Sequence, residues 1–149
     1  LGGSDATQAR VMGRRLCELS FAAGLLMTVV LLALSDVIPR AFTSDADVLE
    51  QIAIAWPIFA LLLPFAAIVF ALDGILIGAG DTRYIAAAMA VAAAIAVGIE
   101  LLTLKQDWGI AGIWAAMAAL MAVRLATMAV RFAGSRLALV GARPGEAAR

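Results

Sequence analysis

The chain has 149 residues, 64% of them hydrophobic and 15% charged, with a formal net charge of zero and a mean hydropathy of +1.02. Ordinary water-soluble domains carry about 25% charged residues, so hydrocarbon is the expected solvent and nucleic acid is not an expected partner. Histidine is absent and Cys17 stands alone, which removes histidine catalysis, histidine proton relays, internal disulfides and thiolate metal clusters. No metal site and no cofactor are expected. The sequence opens on Leu1, with no signal-peptide pattern, and a piece of a longer protein is the expectation.

In chain order, Gly3, Ser4 and Asp5 read as a helix start, and Ala9, Met12, Leu16 and Leu19 recur at helical spacing opposite Arg10 and Arg14. Residues 1–18 are therefore expected to be a cytoplasmic amphipathic lead-in. Uncharged runs follow at Leu19 to Ser35, Ile52 to Leu72, Tyr84 to Ile99 and Trp108 to Val123. A span needs about 20 apolar residues, and charged residues flanking a run can reach the interface from within a helix end. Four transmembrane helices are predicted at about 19–38, 48–77, 82–104 and 109–133, with a cytoplasmic tail over 134–149. The fold class is all-α integral membrane.

Pro39 is expected to end the first span, and Ser44 with Asp47 resembles a capping box that opens the second. The second helix holds Pro57 and Pro64, each of which deletes a backbone hydrogen bond. Seven residues at about 100° each return nearly to one face, so two bends on one face are implied. The third helix has Ala86, Ala90, Ala94 and Gly98 at four-residue spacing, and the fourth has Gly112 and Ala116. Small residues let helices approach closely in lipid, and these faces are expected to touch other helices. Trp108 sits where an interfacial anchor belongs; Trp56 is deeper and reads as anchoring, packing or pocket lining.

The eleven basic residues are sorted by side. Arg10, Arg14, Arg15, Arg83, Arg124, Arg131, Arg136, Arg143 and Arg149 share one side of a four-span topology, and Arg40 and Lys105 share the other. Basic residues concentrate in cytoplasmic loops, so both termini are expected in the cytoplasm.

The densest motif runs from Asp73 through Gly74, Gly78, Gly80, Asp81 and Thr82 to Arg83. Gly74 and Gly78 read as a small-residue packing pair, Gly78 to Gly80 as a left-handed helix end, and Asp81 as the cap of the next helix. Asp73, near the inner edge of the hydrocarbon, needs a partner when ionised, and Arg83 or Arg124 can serve. Arg124, roughly 6 Å inside the inner boundary, either extends to the interface or pairs with Asp73.

The run from Asp73 to Arg83, the loop from Phe42 to Val48 and the lead-in from Gly3 to Arg15 resemble the multidrug and toxic compound extrusion (MATE) transporters, most closely their DinF-like bacterial branch. The resemblance implies twelve helices in two six-helix lobes, an H+ or Na+ gradient driving export of amphipathic or cationic compounds, and a bacterial plasma membrane. Our four spans would be the last four of the C-terminal lobe, with the missing N-terminal helices as partners. The proton-coupling carboxylate of that branch lies outside this segment. A cation-binding Asp of another branch would fall at Ala66, so no coupling residue carries over. Two other readings are a relative of lipid-linked sugar flippases, which share the two-lobe plan, and a self-contained four-helix interaction subunit. No nucleophile sits with a base and no carboxylates cluster in the sequence, which argues against an intramembrane enzyme.

Overall fold

The computed structural model describes residues 6–134, which form five helices: α1 (Ala6–Ala33), α2 (Val37–Phe42), α3 (Ala46–Gly78), α4 (Thr82–Gln106) and α5 (Gly109–Ala133). Four of them are long and apolar enough to cross a membrane. The expected helix start at Gly3, Ser4 and Asp5, and the tail, lie outside the described residues. From Arg10 the lead-in runs straight into the first span, since α1 is one helix of 28 residues.

α3 is the central element. It packs along α1 on one side and α5 on the other, and α4 is attached chiefly to α5. The Arg10 guanidinium donates to the carbonyl of Gly134 at 3.0 Å, so the first and last described turns lie together. That end, which also carries the α3–α4 turn, is the proximal end; the α4–α5 turn and α2 lie at the distal end. The core sits proximally, where Leu72 and Leu76 of α3, Ala88 of α4 and Met128 of α5 are buried, with Cys17 and Phe132 packed against them.

Helix boundaries differ from the sequence expectation at three places, each with a local cause. The first span stops at Ala33 rather than at Pro39. The Leu31 carbonyl, which would accept from the Ser35 amide in a continuing helix, instead accepts the Trp56 indole N–H at 2.8 Å, and the Ser35 amide turns to Leu32. Pro39 falls in the first turn of α2, where a missing N–H costs no helical bond. At the start of α3 the cap is Asp45, not Ser44: its carboxylate accepts from the Asp47 amide at 3.0 Å and reaches the Val48 amide at 3.5 Å. The third difference is at Asp81, which occupies the cap position of α4 but makes no capping hydrogen bond with its side chain.

The small-residue faces are also reassigned. Ala86, Ala90, Ala94 and Gly98 are exposed, and α4 instead buries Ala88, Ala92, Ala96 and Thr103. This choice follows from where α5 lies: Gly112 and Ala116 are buried, and Gly112 brings α5 onto Thr103. Gly74 and Gly78 are likewise exposed, and nothing lies within 4 Å of a Cβ placed on Gly74. They do not form a packing pair among the described residues.

Candidate functional site

The proximal halves of α3 and α5, with the α3–α4 turn, carry two acid–base pairs. α3 and α5 run in the same direction, separated in sequence by one up-and-down excursion through α4. Asp73 lies on α3, Asp81 lies in the turn between α3 and α4, and Arg124 and Arg131 lie seven residues, about 10.5 Å, apart on α5. The carboxylates meet the guanidinium groups in that order: Arg124 Nη2 donates to Asp73 Oδ2, and Arg131 Nε donates to Asp81 Oδ2 at 2.6 Å.

The two rungs differ in environment. The Arg124 and Asp73 side chains are 9% and 15% exposed, so both charges have left solvent and each depends on the other. Arg124 lies nine residues before the end of α5, about 14 Å along the axis, and its guanidinium turns sideways into α3 instead of extending to the interface. The pair is joined by one hydrogen bond, leaving Asp73 Oδ1 and Arg124 Nε buried without a protein partner. A guanidinium offers five donors, so the rung has unused capacity on both sides.

The Asp81–Arg131 rung is tied into the helix turn. α3 ends as its glycines permit: Gly80 adopts φ +80°, the Gly80 amide donates to Ile77 and the Asp81 amide donates to Leu76 at 2.9 Å. These bonds satisfy the terminal carbonyls of α3 and aim the Asp81 carboxylate at α5, which is why it does not cap α4. The Arg131 guanidinium also lies 4.8 Å from the centre of the Tyr84 ring, a cation–π arrangement. Tyr84 donates its hydroxyl to the Thr127 carbonyl at 2.8 Å, so α4 joins the same proximal network.

Arg83, the other partner considered for Asp73, is exposed, and no ion pair to it is formed among the described residues. Arg131, Tyr84 and Thr127 were not singled out from sequence. The sequence carried no clear signal for Arg131, because Asp81 lies in the turn beyond α3 and its partner depends on where α5 lies.

Both prolines of α3 face α1. Pro64 is buried against Gly24, and a Cβ at residue 24 would lie 2.7 Å from Pro64 Cα. Pro57 is exposed and lines a crevice of about 340 Å³ at the distal end, together with Leu32, Asp36, Arg40 and Trp56. Trp56 combines the packing and lining roles: its ring lies 6.4 Å from Phe59, which in turn meets Trp114 of α5 edge-on at 5.9 Å. Glu100 is exposed on α4 at the distal end. No cluster of three or more potential metal ligands occurs among the described residues.

The chain is similar to known proteins over most of its length. The MatE family profile matches residues 1–102. Protein DETOXIFICATION 42 of Arabidopsis thaliana is 32% identical over 120 residues, covering 80% of this chain and 23% of that relative. DNA damage-inducible protein F of Escherichia coli (strain K12) is 32% identical over 125 residues, covering 83% and 26%. Multidrug and toxin extrusion protein 2 of Mus musculus is 29% identical over 120 residues, covering 78% and 21%. No solved structure matches. The chain thus spans about a quarter of the length of these curated relatives. With four membrane-capable helices and a family match over more than two-thirds of its length, this multi-pass membrane chain belongs to the MatE family.

Proposed function

We propose that the chain is the C-terminal part of a cation-coupled exporter of amphipathic or cationic compounds, with α1, α3, α4 and α5 as the last four of twelve spans. The match of residues 1–102 to the MatE family carries this reading. It is supported by what the four helices leave uncovered. Ala86, Ala90, Ala94 and Gly98 on α4, and Gly74 and Gly78 on α3, present small residues outward, as faces that receive other helices do. Alternating access needs two bundles rocking about a site near the membrane midplane, and four helices supply part of one. Asp73 and Arg124 then act in gating by tying α3 to α5 at the proximal end of the bundle.

The test is efflux by the full-length protein. In a host lacking its own exporters, the protein should lower accumulation of a fluorescent cationic dye, and an ionophore that collapses the H+ and Na+ gradients should restore accumulation. Dye uptake equal to that of an empty-vector strain would overturn the reading.

The same reading places the proximal end in the cytoplasm, on the sorting of basic residues. Cys17 is half-buried beside the core and is a poor reporter. After replacing the native cysteines, Gln8→Cys should react with an impermeant maleimide only from the cytoplasmic face and Ala46→Cys only from outside; both positions are exposed or at an exposed helix start. The reverse labelling pattern would invert the topology.

A further inference from the structure

Three threonines in the long helices turn their hydroxyls back onto their own helix. Thr28 donates to Gly24 at 3.0 Å, Thr103 to Ile99 at 2.9 Å and Thr127 to Val123 at 2.8 Å, a common pattern for threonine in helices. Thr28 differs from the other two. Its hydroxyl also lies 2.7 Å from the carbonyl of Ala60 in α3.

That carbonyl is set apart by the sequence. In an unbroken helix the Ala60 carbonyl accepts from the amide of residue 64, and Pro64 has no amide hydrogen. Ala60 is 0% exposed and Thr28 4% exposed, so bulk water does not reach the freed acceptor. A neighbouring threonine is one of the ways membrane helices satisfy a proline gap. Gly24, one turn from Thr28, makes the approach possible: a side chain there would run into the Pro64 backbone.

A hydroxyl has one hydrogen to donate, so Gly24 and Ala60 compete for it, and the shorter contact is the one between helices. We infer that Thr28 is a two-position catch on a hinge of α3 at Pro64. With the hydroxyl hydrogen directed at the Ala60 carbonyl, α3 is held against α1. With it turned to the Gly24 carbonyl, the gap at Pro64 is released and the distal half of α3 bends as the Trp56 bond to the Leu31 carbonyl also yields, the opening then admitting water to the Ala60 carbonyl. The proximal half stays fixed, because the two acid–base rungs hold it to α5. Sharp kinks in helices gather at proline, and a bend of about 20° at Pro64 carries Glu50, about 21 Å along the axis, sideways by about 7 Å. The use of this hinge in transport rests on the exporter reading; the exchange of the Thr28 hydrogen bond between the two carbonyls does not.

The experiment is a distance measurement in the full-length protein reconstituted in lipid. Spin labels at Glu50→Cys and Lys105→Cys, both exposed at the distal end, replace the native cysteines and report α3 against α4. The parent should give a dominant distance. Thr28→Val, which keeps the shape and removes the hydroxyl, should add a second population displaced by about 5 Å or more. Gly24→Ala should produce the same displaced population by pushing α1 off Pro64, and it carries the test if the Val variant does not reach the membrane. Thr28→Ser should retain the parental distribution. Distributions for Thr28→Val or Gly24→Ala that superimpose on the parent, or a Ser variant that shifts as the Val variant does, would overturn the catch. Dye efflux by the parent, measured in parallel, judges the exporter reading separately.

Discussion

Arg124→Met in the full-length protein should cost about 3–5 kcal/mol of stability, because it leaves the Asp73 carboxylate desolvated without its cation. The expected observable is a large fall in thermal unfolding temperature in detergent, together with loss of efflux. Asp73→Asn leaves the Arg124 charge without its counter-ion but keeps an oxygen to which Arg124 can donate, and should cost less. The double variant Arg124→Met with Asp73→Leu should recover most of the lost stability, because replacing both members of a buried pair by apolar groups removes the desolvation cost from each. Efflux should not return in that variant if the rung has a part in gating. Equal stability of Arg124→Met and the parent would mean that water or another cation serves Asp73 as well as Arg124 does.

The asymmetry between these variants follows from the burial of the pair. Neither side chain is more than 15% exposed, so removal of one charge is felt in a medium of low polarity and not across solvent. The Asp81–Arg131 rung is somewhat less enclosed on the arginine side, at 21%, and Tyr84 shares the cation. Loss of Asp81 therefore leaves Arg131 with the ring and with access to the interface. This ranks Arg124 above Arg131 as the residue on which the proximal end depends.

The four spans were legible in the sequence, because span length depends on short-range rules. The runs of apolar residues gave the four spans, and Gly80 gave the turn that ends α3. What the sequence left open depends on which helix lies beside which. Asp81 reads as a cap by its position, and becomes an ion-pair partner because α5 brings Arg131 within reach. Ala86, Ala90, Ala94 and Gly98 form a small-residue face as good as that of Ala88, Ala92 and Ala96, and only the position of α5 decides between them. The partner of Asp73 was open between Arg83 and Arg124 for the same reason. Thr28 gave no signal by itself, since a threonine in a helix is ordinary until the carbonyl freed by Pro64 is found opposite it.

Gly112→Ala should detach the distal half of α4, and the reason lies in how α4 is attached. α4 meets α5 along its length and α3 only briefly, so the α4–α5 seam bears most of its packing. At Gly112 that seam closes on Thr103: a Cβ there would sit inside contact distance of Thr103 Cγ2 and Oγ1 and 2.9 Å from Thr103 Cβ. Thr103 has little room to yield. Its hydroxyl is bonded to the Ile99 carbonyl, and a β-branched side chain in a helix has few alternative rotamers. The helices must separate, at a cost of about 1–3 kcal/mol, as for other overpacked sites. Proximally, α4 keeps the Tyr84 hydroxyl on Thr127 and the ring against Arg131, so that half should remain docked. Hydrogen exchange should therefore quicken over residues 99–106 and stay slow over 84–92. Combining Gly112→Ala with Thr103→Ala frees the space and should restore protection, which a double-mutant cycle would record as a coupling between the two positions. Uniform protection across α4 in the single variant would show that the seam tolerates the extra methyl and that α4 is held by something other than α5.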